Sequence, residues 1–176
     1  MSLDTVYRQA HDRANFLLRS AEINLEAPID PLTRGWAIVN AHPGEVELEE
    51  ATLETTALPY NLTVRGGRLF ASFGRLGHFH DHELPVIDRP NSLDTYFGGE
   101  TQADGLEVSY LLPTETYVNA TLGAYNKIGA ENARAANNTP RDINMFTYLG
   151  RLATSLEFGD DHTLDLGLSS AWTPRR

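Results

Sequence analysis

Residues 146–172 constrain the fold more than any other stretch, because they place an apolar side chain at every second position for the length of two strands. Phe146, Tyr148, Leu152, Leu156 and Phe158 share one phase, with Arg151, Ser155 and Glu157 on the other. After Gly159-Asp160-Asp161-His162 the alternation resumes, with Leu164, Leu166, Leu168 and Trp172 set against Asp165, Gly167 and Ser169. Strand side chains alternate with period two, so the pattern predicts a hairpin with one apolar and one wet wall. A soluble sandwich carries such a pattern as well. Two further features point to a membrane barrel. Both strands approach the roughly 9–11 residues that cross a bilayer at a tilt, and their aromatics sit near the strand ends, as in an interfacial girdle.

The same period recurs along the chain. Candidate strands are Leu17–Ile29, Arg34–Ala41, Val46–Ala57, Leu62–Phe73, Leu106–Leu112 and Tyr117–Tyr125, which with the hairpin make about eight. Residues 1–14 read as a polar lead-in, 74–105 as a long histidine-containing loop and 126–142 as a second polar loop. Val46 and Leu48 are out of phase with Ala51 and Leu53, which predicts a bulge in that strand. The connections after the first, third, fifth and seventh strands are short and those after the fourth and sixth are long, with the short connection after the second as the one exception. Outer-membrane barrels sort their turns and loops in this way, whereas a Greek-key sandwich has no reason to. The expected fold is therefore all-β: an antiparallel up-and-down meander, forming an outer-membrane β-barrel or a fragment of one.

Composition removes several classes. Mean hydropathy is −0.34 and no apolar run is long enough for a membrane helix, a test to which a β-barrel is invisible. A formal charge of −10 argues against nucleic acid as a partner, since phosphate contacts need clustered cations. With no cysteine there is neither a disulfide framework nor a thiolate metal site. No nucleophile elbow, phosphate loop or dinucleotide fingerprint occurs, and no enzyme activity is expected. Met1–Ala14 lacks the apolar region of a signal peptide, and the chain ends Trp172-Thr173-Pro174-Arg175-Arg176 without a terminal aromatic. A mature piece or an internal fragment of a larger barrel is the expectation.

Two sets of residues carry candidate chemistry. In the long loop, His78, His80 and His82 interleave with Asp81 and Glu83, and Asp88 follows. Imidazole and carboxylate suit Zn²⁺, and His80 and His82 at i, i+2 point the same way from an extended backbone. His78 or Asp88 is the candidate third ligand. The second set lines the strands. Glu47, Glu49, Glu50 and Glu54 make one strand acidic, and Arg65, Arg68 and Arg75 follow along the next. Facing rows of acids and arginines place a transverse field across a pore, with Glu50, Glu54, Arg65, Arg68 and Arg75 as the candidate lining. Cross-strand pairing for stability is the plainer role.

The run Gly74-x-Leu76, His80-x-His82, Asp88-x-Pro90, Tyr96-Phe97-Gly98, Asp104-Gly105 and Leu112-Pro113-Thr114 resembles a family of bacterial porin-like outer-membrane barrels. Its members are often labelled zinc-regulated outer-membrane proteins or receptors. The resemblance covers about residues 45–126. It departs at Gly77, where the family usually has Asn, and at Leu84, where it usually has Trp. It implies outer-membrane lipid as the surroundings and small solutes or ions as cargo; zinc in the family label concerns regulation. The rival expectation is a soluble metal-binding sandwich or jelly roll built around His78, His80 and His82.

Overall fold

Alternation of this kind can satisfy every backbone group only by pairing strands side by side, and the computed structural model pairs them in chain order. It describes residues 2–10, 13–77, 79, 84, 90–132, 140–159 and 162–174. Nine strands form one antiparallel sheet in the order β1 to β9. They are β1 (Ser2–Ala10), β2 (Arg13–Asp30), β3 (Thr33–His42), β4 (Glu45–Thr55), β5 (Leu62–Phe70), β6 (Gln102–Leu111), β7 (Tyr117–Ile128), β8 (Thr147–Phe158) and β9 (His162–Trp172). A short helix, α1 (Asn91–Phe97), lies between β5 and β6. Among the described residues no helix is long and apolar enough to cross a membrane, which says nothing about crossing with strands. The sheet is an up-and-down meander and is not closed: β1 and β9 are its two edges.

The strand count exceeds the sequence expectation by one, because most of the supposed lead-in is β1. Leu3 and Val6 fall out of phase, and the β1–β2 register shifts between Asp4 and Thr5. A bulge there breaks the period by which a strand is recognised. The bulge expected in β4 is present. Ile38 faces Glu50 and Val39 faces Leu48, so Glu49 is the extra residue. Elsewhere β5 ends at Phe70 rather than Phe73, and β6 begins at Gln102 rather than Leu106.

All four connections at one end of the sheet are short: residues 31–32, 56–61, 112–116 and 159–161. The long connections, 71–101 and 129–146, both lie at the other end.

The two faces of the sheet differ in what they carry. Leu122 is 69% and Leu168 75% exposed, while Glu107 is 1% and Thr121 3% exposed, so the leucines carry the outer surface and the polar residues the inner one. Ile23, Leu25, Leu53, Leu106, Val108, Leu152, Leu164 and Leu166 share that exposed outer face. On β8 and β9 it is bounded by Tyr148 against Trp172, ring centroids 6.0 Å apart, and at the far end by Phe158. Ten residues separate Tyr148 from Phe158, about 33 Å at ~3.3 Å per residue. At a tilt of about 40° this projects to about 25 Å, the height of the apolar band of a membrane barrel.

A small dry core does exist, on the inner face toward the long connections. Leu69, Ala71, Ala103, Tyr125, Ile128 and Leu149 are buried there, with Phe73, Phe97 and Ala171 packed against them. Phe73 and Phe97 meet edge to face at 4.8 Å, so the connection from β5 and helix α1 fold back over the sheet.

Candidate functional site

Antiparallel register turns scattered charges into a row. Arg34 stands opposite Glu54, Glu54 opposite Arg65, and Arg65 opposite Glu107, giving one rung of alternating sign across β3, β4, β5 and β6. Directly opposed unlike charges attract across strands, and the side chains use that freedom unequally. Arg34 donates from Nη2 to Glu54 Oε1 at 2.8 Å and from Nη1 to Glu26 Oε1 at 3.3 Å. Its guanidinium also lies 5.6 Å from the centre of the Trp36 ring.

Arg65 turns away from Glu54 to Glu107. Its Nε donates to Glu107 Oε2 at 2.7 Å, and its Nη2 donates to the carbonyl of Phe70 and to Ser72 Oγ. Glu107 also accepts from the Ser72 N–H at 2.7 Å, from Ser72 Oγ at 3.0 Å and from the Tyr125 hydroxyl. A carboxylate this buried is tolerable only when paired and fully hydrogen-bonded, and four hydrogen bonds meet that condition. Gly123 stands opposite Glu107 in β7. A Cβ there would strike the Tyr125 ring, so the glycine leaves the room through which Tyr125 reaches Glu107.

The other expected lining residues are placed as follows. Glu50 is buried and accepts from Trp36 Nε1 at 2.8 Å and from the Phe70 N–H at 3.1 Å, so it ties β3 to the end of β5. Arg68 makes a two-pronged pair with Asp104, Nε to Oδ1 at 2.8 Å and Nη2 to Oδ2 at 3.1 Å, rather than facing the acids of β4. Arg75 lies beyond β5 altogether, and its Nη1 is 3.5 Å from Asp165 Oδ2 of β9. The structure therefore brings Glu54 and Arg65 into one rung, and separates Glu50, Arg68 and Arg75 from it. Sequence reasoning missed Arg34 and Glu107. Neither belongs to a run of like charges in its own strand, and only the register reveals them as partners.

The proposed zinc ligands His78, His80, His82 and Asp88 lie outside the described residues. Among the described residues no group of three or more histidine, aspartate and glutamate side chains is placed to hold a metal ion.

Comparison with known proteins is sparse. No protein-family model matches the chain, and no solved structure matches it. A protein of Aquifex aeolicus (strain VF5), described only as uncharacterized, is 28% identical over 174 residues, covering 93% of this chain. The match takes in 36% of that protein, so the chain spans about a third of the length of its relative.

Proposed function

We propose that this chain is part of the wall of an outer-membrane β-barrel that passes small solutes or ions through a polar lumen, without catalysis. The observation that carries this reading is the contrast between the faces: exposed leucines on the outside, and within, the charged Arg34–Glu54–Arg65–Glu107 rung, which runs from a solvated Arg34 to a buried Glu107. In water an apolar face of that extent is a liability; in a bilayer it is the required surface. The confinement of both long connections to one end of the sheet supports the same reading. So does the resemblance to porin-like barrels carried by residues 74–114. The rival soluble sandwich needs a second sheet to cover the leucines, and the described strands form one sheet.

Spanning sheets must close, because each unpaired backbone group in hydrocarbon costs several kcal/mol. The edges of β1 and β9 therefore take partner strands, and the conducting unit is a larger barrel of which these nine strands are a part. The test has two arms. The barrel purified from outer membranes in detergent should give stable conductance steps in planar bilayers. The 176-residue chain alone should aggregate or need detergent and give none. A chain that stays monodisperse in buffer without detergent would refute the membrane assignment.

A further inference from the structure

We propose that residues 71–77 form a strap across the inner wall, and that Arg75 on this strap, set against Asp165 and Glu157, makes the passage prefer small cations to anions. This rests on the reading of the inner face as a pore wall, and adds which residues discriminate and in which direction.

The strap is anchored at both legs. Its first residue extends the β5–β6 ladder, with the Ala71 N–H donating to the Thr101 carbonyl at 2.9 Å, and then the chain leaves the sheet. Phe73 N–H turns back onto the Ala71 carbonyl at 2.6 Å, and Ser72 is held by Glu107 through both its N–H and its hydroxyl. The buried Thr101 Oγ1 lies 2.9 Å from the carbonyl of Ala71 and 2.5 Å from that of Gly77, so its one proton serves either leg.

Between these anchors the strap reaches the far edge of the sheet. Gly74 N–H donates to Ser169 Oγ of β9 at 3.0 Å. Glu107 on β6 and Ser169 on β9 are three strand spacings apart, about 14 Å along a sheet. Ser72 and Gly74 are joined by at most about 7 Å of backbone. The Glu107 and Ser169 side chains and their hydrogen bonds make up the remaining distance, so the strap passes over β7 and β8 on the inner side.

Arg75 and Asp165 meet on this inner side. Their side chains are 75% and 52% exposed, so the pair is solvated and its charges face the lumen. Asp165 is held by Ser155 Oγ at 2.7 Å. With Ser155, Glu157 and Glu115 it lines a recess of about 660 Å³ toward the short turns. The wall's own cation on β8, Arg151, stands opposite Ser169, four residues further along β9. The strap guanidinium thus meets one carboxylate, Asp165, at the border of a recess that this residue shares with Glu157 and Glu115. Fixed charges of one dominant sign in a confined passage concentrate the counter-ion. Here that ion is a cation, and Arg75 moderates the preference.

The test uses the purified barrel. The chain has no cysteine, so a Gly74→Cys, Ser169→Cys double variant, placed where the Gly74 N–H meets Ser169 Oγ at 3.0 Å, forms a disulfide between segments 95 residues apart only if the strap lies on β9. Reversal potentials under a KCl gradient are read alongside. Wild type should prefer K⁺; Arg75→Glu should raise the K⁺/Cl⁻ permeability ratio at least about fourfold, and Asp165→Lys should lower it comparably. A cross-link together with opposite shifts supports the proposal. Conductance without a cross-link overturns the strap, and a cross-link with an unmoved ratio overturns the role of Arg75. Absence of wild-type conductance overturns the pore reading and the selectivity with it, while the cross-link still reports whether the strap is there.

Discussion

Leu166→Arg and Asp165→Arg introduce the same side chain at adjacent positions of β9, one on each face, and the two should differ sharply in cost. Leu166 lies six residues from Trp172 and four from His162, the ends of the strand. At about 2.5 Å of membrane normal per residue (a ~3.3 Å rise at a tilt of about 40°), it sits about 15 Å and about 10 Å from the two boundaries. That is within a few ångströms of the midplane. An arginine there costs about 2–4 kcal/mol, a factor of about 30 to 900 in the folding equilibrium. Asp165 is half exposed on the inner face, and replacing it forfeits the Ser155 hydrogen bond and the solvated contact with Arg75. Those are worth about 1 kcal/mol together. Urea titration of the barrel in phospholipid bilayers, followed by tryptophan fluorescence, measures both. Equal destabilisation by the two variants would refute the assignment of faces.

Other consequences follow from single residues. Glu107→Ala leaves Arg65 without its buried partner and should destabilise by about 3–5 kcal/mol, whereas Glu107→Leu with Arg65→Met should cost clearly less, as urea titration of both variants would show. Gly67 has φ of +126°, and a Cβ there would meet the Ala51 carbonyl; Gly67→Ala should therefore cost about 2 kcal/mol or more by the same titration. For the histidine loop, zinc binding by His80 and His82 should tighten as pH rises through about 6.5, since a ligating imidazole must be neutral. Calorimetric titration of wild type and a His80→Ala, His82→Ala variant checks it, and identical heats would leave those histidines without a metal role.

Much of the sheet was legible because period two is a local signal. Leu106–Leu112, Tyr117–Tyr125 and the 146–172 hairpin alternate cleanly, and the phase slip between Leu48 and Ala51 located the bulge at Glu49. β1 was hidden by its own register shift between Asp4 and Thr5. The charged rung was half legible. Glu54 and Arg65 stand out in sequence, but Arg34 and Glu107 become their partners only through register, a property of strand pairs. Arg75 was misplaced onto a strand because Ala71, Ser72 and Phe73 continue the alternation past Phe70. The departure of the chain there comes from the Ser72–Glu107 contact, 35 residues distant in sequence, which no local pattern encodes.

In the proposed barrel the leucine face meets lipid and the acidic face meets water. Because the chain lacks cysteine, single cysteines at positions 164 to 169 can be spin-labelled one at a time in the barrel reconstituted in phospholipid vesicles. Collisions of each label with oxygen, which concentrates in lipid, and with a water-soluble nickel chelate then report its surroundings. Accessibility should alternate with period two: oxygen-rich at Leu164, Leu166 and Leu168, nickel-rich at Asp165, Gly167 and Ser169. Nickel accessibility at all six positions, or no alternation among them, would contradict it.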